Sequence, residues 1–184
     1  MALVESTMPP LGTPAHEFLL DGVDGKAYSL HSYSGKEIIV ILFMCNHCPY
    51  VKAVLKRIIG LQNEFIDRGV QFIGINPNDA IRYPDDSLEN MKIIAKENNF
   101  SFPYLIDPSQ ETAKLYDAVC TPDLYVYGKD RKLAYRGRID DNWENPKKVT
   151  RHDLRLALES ILTGKLVANE QIPSMGCSIK WKTT

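Results

Sequence analysis

The sequence lacks a long apolar run. Its longest, Ile38–Cys45, falls far short of the ~20 residues a membrane-spanning helix requires. The N-terminal stretch has no basic segment followed by an apolar one. It carries Glu5 and the adjacent Pro9 and Pro10 instead, which excludes a secretory signal as written. A cytoplasmic protein with no membrane partner is expected. Net charge is only −1 and no basic cluster occurs, so nucleic acid is not an expected partner either. Cysteine is scarce: four residues, at 45, 48, 120 and 177, are too few to scaffold a chain of 184 with disulfides. Repeats, low-complexity tracts and linker-like stretches are missing as well. A single domain over residues 12–184, preceded by a short extension at 1–11, is the simplest organisation.

What is present is a globular composition. A hydrophobic share of 44% against 24% charged is enough to build a core and excludes gross disorder. Ala15–Leu20 and Ala27–Leu30 flank an Asp21-Gly22-Val23-Asp24-Gly25 turn signal and predict a hairpin. Ile38–Phe43 is a continuous β-branched run, the pattern of a strand buried on both faces. From Tyr50 the period becomes helical, with Val51, Val54, Leu55, Ile58, Phe65 and Ile66 on one face and Gly69 as the stop. Strands are expected at Val70–Ile75, Tyr104–Ile106, Leu124–Tyr127 and Lys132–Ile139. Helices are expected after Asp86, from Pro108 to Asp117, and after Thr150 as far as Gly164. This order predicts an α/β fold: a central mixed sheet flanked by helices, with an N-terminal β-hairpin and a C-terminal tail.

Cys45-Asn46-His47-Cys48 lies where the buried strand ends and the amphipathic helix begins. Backbone N–H groups and the positive end of a helix favour an anion, so a thiolate there is stabilised. A protonated His47 beside it acts in the same sense. Cys45 is expected to be the exposed nucleophile in the first turn, its pKa below a free thiol's, and Cys48 the resolving thiol. Pro49 then falls at the helix start, where its missing N–H costs little. Two blander readings stand beside this one. The cysteines could merely fill space, or they could be half of a zinc site; against the latter, no second Cys-x-x-Cys or His-x₃-His completes four ligands.

With Cys120-Thr121-Pro122-Asp123 just before a strand, the chain resembles the thioredoxin superfamily. There a Thr-Pro dipeptide with a cis bond faces the Cys-x-x-Cys. More narrowly it resembles the bacterial redoxin branch, grouped with alkyl hydroperoxide reductase and thiol-specific antioxidant proteins. The matching stretches are Phe43-Met44-Cys45-Asn46-His47-Cys48-Pro49-Tyr50-Val51-Lys52, Tyr135-Arg136-Gly137-Arg138-Ile139-Asp140-Asp141 and Gly176-Cys177-Ser178-Ile179-Lys180-Trp181. The resemblance implies a thioredoxin-like fold, a cis Thr121–Pro122 bond, and a Thr121 backbone that helps hold a substrate cysteine's strand. It implies dithiol–disulfide exchange through Cys45 and Cys48, on a protein or small-molecule disulfide, with electrons from another thiol system and no bound cofactor.

The departures from that pattern matter. Peroxiredoxins carry Pro-x-x-x-Thr-x-x-Cys; on Cys48 this places Ile41 at the proline and Cys45 at the threonine. Pro122 replaces the peroxide-polarising arginine. Weak peroxidase activity is therefore the runner-up, and a metal-binding module using Cys45, Cys48 and His47 is a third class. Met44 and Ile39 stand where thioredoxin has its Trp and its buried proton-shuttling Asp. Cys120 reads as a core residue or an auxiliary thiol. Cys177 reads as a small side chain seating a packed tail, or as a third redox thiol near the pair. Gly176 is expected where backbone passes close to another segment. Arg136, Arg138, Asp140 and Asp141 read as a solvated hairpin end or, second, as part of the substrate face, and Arg82–Asp86 as an inserted turn.

Overall fold

The structure is a computed structural model that describes residues 3–183. Ten strands and four α-helices follow one another as β1 (Leu3–Glu5), β2 (Leu19–Gly22), β3 (Ala27–Ser29), β4 (Ile38–Phe43), α1 (Pro49–Phe65), β5 (Val70–Asn76), α2 (Leu88–Glu97), β6 (Tyr104–Ile106), α3 (Glu111–Leu115), β7 (Cys120–Thr121), β8 (Asp123–Tyr127), β9 (Leu133–Arg136), α4 (Asp153–Leu162) and β10 (Met175–Ser178). Seven strands form one mixed sheet in the order β3-β2-β6-β5-β4-β8-β9, with β4 parallel to β5 and antiparallel to β8. The expected mixed sheet with flanking helices is what forms.

β4 lies inside this sheet, and all six of its residues are buried. Ile38, Val40 and Leu42 face a core shared with α1, α2 and α4. Ile39, Ile41 and Phe43 face a second core that includes Ala113 of α3 and Tyr116 just beyond it. Each such side chain contributes about 1.5–3 kcal/mol of burial, so the strand that carries the cysteine motif is anchored from both sides. No helix among the described residues is long and apolar enough to cross a membrane.

Three details differ from expectation. Thr150 does not cap α4; the helix starts at Asp153, because the Thr150 hydroxyl and N–H are already bonded to Asp141. β9 ends at Arg136 rather than running on to Ile139. Gly137 leaves the strand at φ +141°, and a Cβ there would lie 2.3 Å from the Ile172 carbonyl oxygen. α2 is capped by Ser87, whose hydroxyl accepts the Asn90 N–H, while Asp86 is buried elsewhere.

A second, three-stranded sheet has the order β1-β10-β7. β10 lies antiparallel to both neighbours, with Cys177 opposite Thr121 on one side and Leu3 on the other. The stretch set apart as an N-terminal extension thus supplies β1. The end of the C-terminal tail packs on the domain through Cys177 and Ile179, whereas Leu166 at its start stays exposed. Gly176 is where the expected close approach occurs: a Cβ there would sit 1.9 Å from the Thr121 carbonyl oxygen.

Candidate active site

Cys48 is the residue immediately before α1, with extended backbone (φ −68°, ψ 122°), and Pro49 occupies the first helical position. The helix therefore begins four residues beyond Cys45, which lies outside its first turn. Both cysteines are buried, Cys45 at 1% exposure and Cys48 at 0%. The expectation that Cys45 is the exposed member and sits in the first turn is corrected here. The helix start belongs to Cys48, and β10 with the loop before α2 covers the pair.

The two thiols are close enough for each to shift the other's acidity, Cys45 upward and Cys48 downward. Thr121 braces both: its hydroxyl lies 3.4 Å from Cys45 Sγ, and its carbonyl oxygen accepts from Cys48 Sγ at 3.0 Å. The Thr121–Pro122 bond is cis, as the resemblance implied. Cys48 is pulled well below the ordinary thiol range, to about 4, by the Cys45 thiol it accepts from, against the cost of burial, and by the Val51 and Cys177 N–H groups. The Thr121 carbonyl opposes this by favouring a Cys48 thiol. One carbonyl is outweighed by the donors converging on that sulfur. Cys45 is pushed the other way by its hydrogen bond to Cys48, by burial and by the negative charge of Asp86. The lowered thiol is thus Cys48, not Cys45 as the sequence led us to expect, because Cys45 and the Val51 and Cys177 N–H groups all act on its sulfur.

His47 does not float beside the sulfurs. Its Nδ1 is 2.6 Å from Asp86 Oδ2, and its ring stacks on Tyr83 with centroids 5.6 Å apart. The Asp86 bond raises the His47 pKa despite partial burial. Asp86 also accepts the Asn46 N–H at 2.7 Å and the Asn78 side chain at 2.8 Å. These bonds hold its pKa below the usual carboxylate value although burial pushes it up. Asn46 is fixed in turn, donating to the Asp85 carbonyl and accepting from Tyr104 Oη. The segment read as a mere inserted turn is one wall of the site. Asp86 is the residue that sequence reasoning missed; its pairing with a cysteine-flanked histidine spans 39 positions.

Cys120 is buried, its Sγ 3.7 Å from the Pro122 carbonyl oxygen, and burial pushes its pKa up. Asp123, on the strand beyond Pro122, has its carboxyl raised to about 7 by burial. Asp140 is buried against Arg57 rather than solvated at a hairpin end, whereas Asp141 bonds Thr150 at the surface. Arg138 pairs with Asp153, so these charges tie elements together. One donor cluster among the described residues could take a metal: Cys45, His47 and Asp86, with ligand atoms within 4.8 Å of one another. The His47–Asp86 hydrogen bond accounts for part of that closeness. A cavity of about 150 Å³ reaches Cys45, lined also by Asn46, Lys52 and Leu55.

Comparison with known proteins places this geometry in context. The sequence model of the AhpC/TSA family matches residues 11–136. A 1-Cys peroxiredoxin A from Oryza sativa subsp. japonica is 27% identical over 138 residues, which is 67% of this chain and 61% of that protein. This chain therefore spans less than two thirds of that relative's length. The crystal structure of an uncharacterized conserved protein from Geobacillus kaustophilus superposes with a TM-score of 0.96 at 48% identity, covering 100% of this chain and 98% of that one. A thiol:disulfide interchange protein of the thioredoxin family from Chlorobium tepidum TLS superposes with a TM-score of 0.65 at 21% identity, over 84% and 99% of the two chains. The last likeness is one of fold: this is a thioredoxin fold.

Proposed function

We propose, from the premise that the chain belongs to the AhpC/TSA family of redox enzymes, that it is a thiol–disulfide oxidoreductase exchanging electrons through Cys45 and Cys48. The observation that carries this reading is the pair of thiols at the start of α1, both contacted by Thr121 and one of them on a cavity wall. The Cys48 thiolate takes the proton of Cys45. Cys45 attacks a sulfur of the substrate disulfide, forming a mixed disulfide and releasing one thiolate, which takes up a proton. Cys48 then gives up its proton and attacks Cys45 Sγ, releasing the second thiol and leaving a Cys45–Cys48 disulfide. The Val51 and Cys177 N–H groups make Cys48 a thiolate at the moment it must act. This answers a question left by the sequence, which has no buried Asp at position 39. A separate thiol system returns the two electrons.

His47, held by Asp86, supplies positive charge beside the sulfurs. The substrate is a protein or small-molecule disulfide. With glutathione disulfide or insulin as substrate, Cys45→Ser should abolish reduction and Cys48→Ser should accumulate mixed disulfides. Cys45→Ser protein that reduces insulin as fast as wild type would overturn the mechanism.

A second reading has one observation in its favour. Cys48, the more acidic thiol, stands at the position of the peroxidatic cysteine in Pro-x-x-x-Thr-x-x-Cys. Neither the threonine nor the arginine that serve that cysteine is present, and Cys48 is fully buried. Hydrogen peroxide turnover should be slow, and a rate typical of dedicated peroxidases would favour the second reading over the first.

A further inference from the structure

The exchange just described uses only the backbone of Cys177, yet its thiol is built into the same site. Its strand, β10, takes the backbone edge of β7, with Cys177 directly opposite Thr121. That edge is the one expected to hold a substrate's chain, so Cys177 stands in the register of a substrate cysteine. Thr121 is also the residue whose carbonyl touches Cys48 Sγ at 3.0 Å. Cys177 and Cys48 lie in the same buried cluster, and each shifts the other's acidity. The close seat depends on Gly176, because a Cβ at that position would lie 1.9 Å from the Thr121 oxygen. β1 covers the outer side, and Cys177 is 2% exposed.

We propose that Cys177 is a third exchanging thiol, which attacks Cys48 Sγ of the Cys45–Cys48 disulfide and forms a Cys48–Cys177 disulfide within one chain. The step rests on the exchange reading above. The Cys177 thiol loses its proton and its sulfur bonds to Cys48. The Cys45–Cys48 bond breaks, and Cys45 leaves as a thiolate that takes up one proton. One S–S bond forms as one is lost, so no outside oxidant or reductant is consumed. In the reduced protein, burial and the charge of the Cys48 sulfur both hold Cys177 protonated. Oxidation of Cys48 removes the second of these restraints at the moment Cys177 is needed. The outcome is a chain that stores its oxidising equivalent between β10 and α1 while Cys45, on the cavity wall, is a thiol again.

The test is disulfide mapping of the full-length protein. Reduced protein is equilibrated with glutathione at several ratios of disulfide to thiol, quenched in acid, alkylated and digested for mass spectrometry. Two linked peptides are expected from monomeric wild type, Cys45–Cys48 and Cys48–Cys177, and the second should be lost in Cys177→Ser. In Cys45→Ser, Cys177 should displace glutathione from Cys48, whereas Cys45→Ser/Cys177→Ser should retain the adduct. If Cys45–Cys48 forms and Cys177 is alkylated at every ratio, the third-thiol proposal falls and the exchange reading stands. If Cys45–Cys48 never forms, the exchange reading falls and takes the proposal with it. The wild-type arm needs no variant to fold.

Discussion

Asp86→Asn removes one charge while keeping the side chain's shape, and it separates the electrostatics of the site from its packing. Asp86 raises His47 and helps raise Cys45, so both pKa values should fall in the variant, His47 visibly in an NMR titration. The stability effect has a defined window. The folded His47 pKa is raised, so its contribution is complete below about 6.5, the unfolded value, and fades as pH rises through the folded one. The folded Asp86 pKa is lowered, so its contribution is present above about 3.9 and fades as pH falls further. Between those limits Asp86→Asn should cost on the order of 1.5–3 kcal/mol, the worth of hydrogen bonds to a charged group. Urea melts at several pH values would show it. A variant equally destabilised at every pH would mean that Asp86 acts by shape alone. A second titration concerns Cys48. Thiolate absorbance of the reduced protein should persist as pH falls through the ordinary thiol range, about 8.5, and vanish near 4. Cys48→Ser should lack this signal. The sequence made the dithiol and its histidine legible because their spacing is local. It hid Asp86, since an acid three residues before a Glu reads the same whether it caps a helix in solvent or lies buried against an imidazole. It put the helix start at Pro49, where it is, but set Cys45 within the first turn, and that was enough to assign the lowered pKa to the wrong sulfur.

At the scale of elements, β10 is the test of how much the site depends on a strand from the far end of the chain. Gly176→Ala places a methyl group on the Thr121 carbonyl, a backbone atom that cannot swing aside. The β10–β7 pairing should open, with hydrogen–deuterium exchange rising at Cys177, at Ser178 and in β1. A loss of about 1–3 kcal/mol is expected, as for overpacking. With the Cys177 N–H withdrawn, the Cys48 pKa should rise. An unchanged Cys48 titration in a Gly176→Ala variant whose β10 exchanges rapidly would show that this backbone donor is dispensable. β4, α1, β5 and β8 were readable because each is a run whose burial pattern repeats along its own length. β10 was not readable as a strand: Met175–Ser178 has no period of its own and becomes a strand only by pairing with β7 and β1. Thr150 misled for the opposite reason, a good capping residue whose hydroxyl had been taken by Asp141.

At the scale of the molecule, the layers are clamped by a few polar ties that cross long sequence distances. Arg57 on α1 donates to Asp140 at 2.5 Å and to the carbonyls of Asn142 and Trp143. It binds the helix that carries the cysteines to the loop beyond β9. Asp140 is 2% exposed at its side chain, so Arg57→Met would strand a buried carboxylate and two carbonyl acceptors. A loss of about 3–5 kcal/mol is expected, read as a drop in denaturation midpoint. Replacing Arg57 and Asp140 together with apolar residues should recover part of it. The fold class was legible from the alternation of strands and helices. The strand order was not, because pairings such as Asp21 with Ile106 join segments that share no local signal.

The three-stranded sheet also sets an order of assembly. β4 and α1 can dock as soon as they are made, but β10 is synthesised last among the described elements, and without it Cys48 lacks both its Cys177 contacts and its cover. During synthesis on the ribosome, the cysteine motif emerges as an ordinary exposed dithiol. Its shelter, and the share of its acidity that the Cys177 N–H supplies, arrive only when β10 slots between β1 and β7, so the site is finished by a strand made more than a hundred residues after its cysteines.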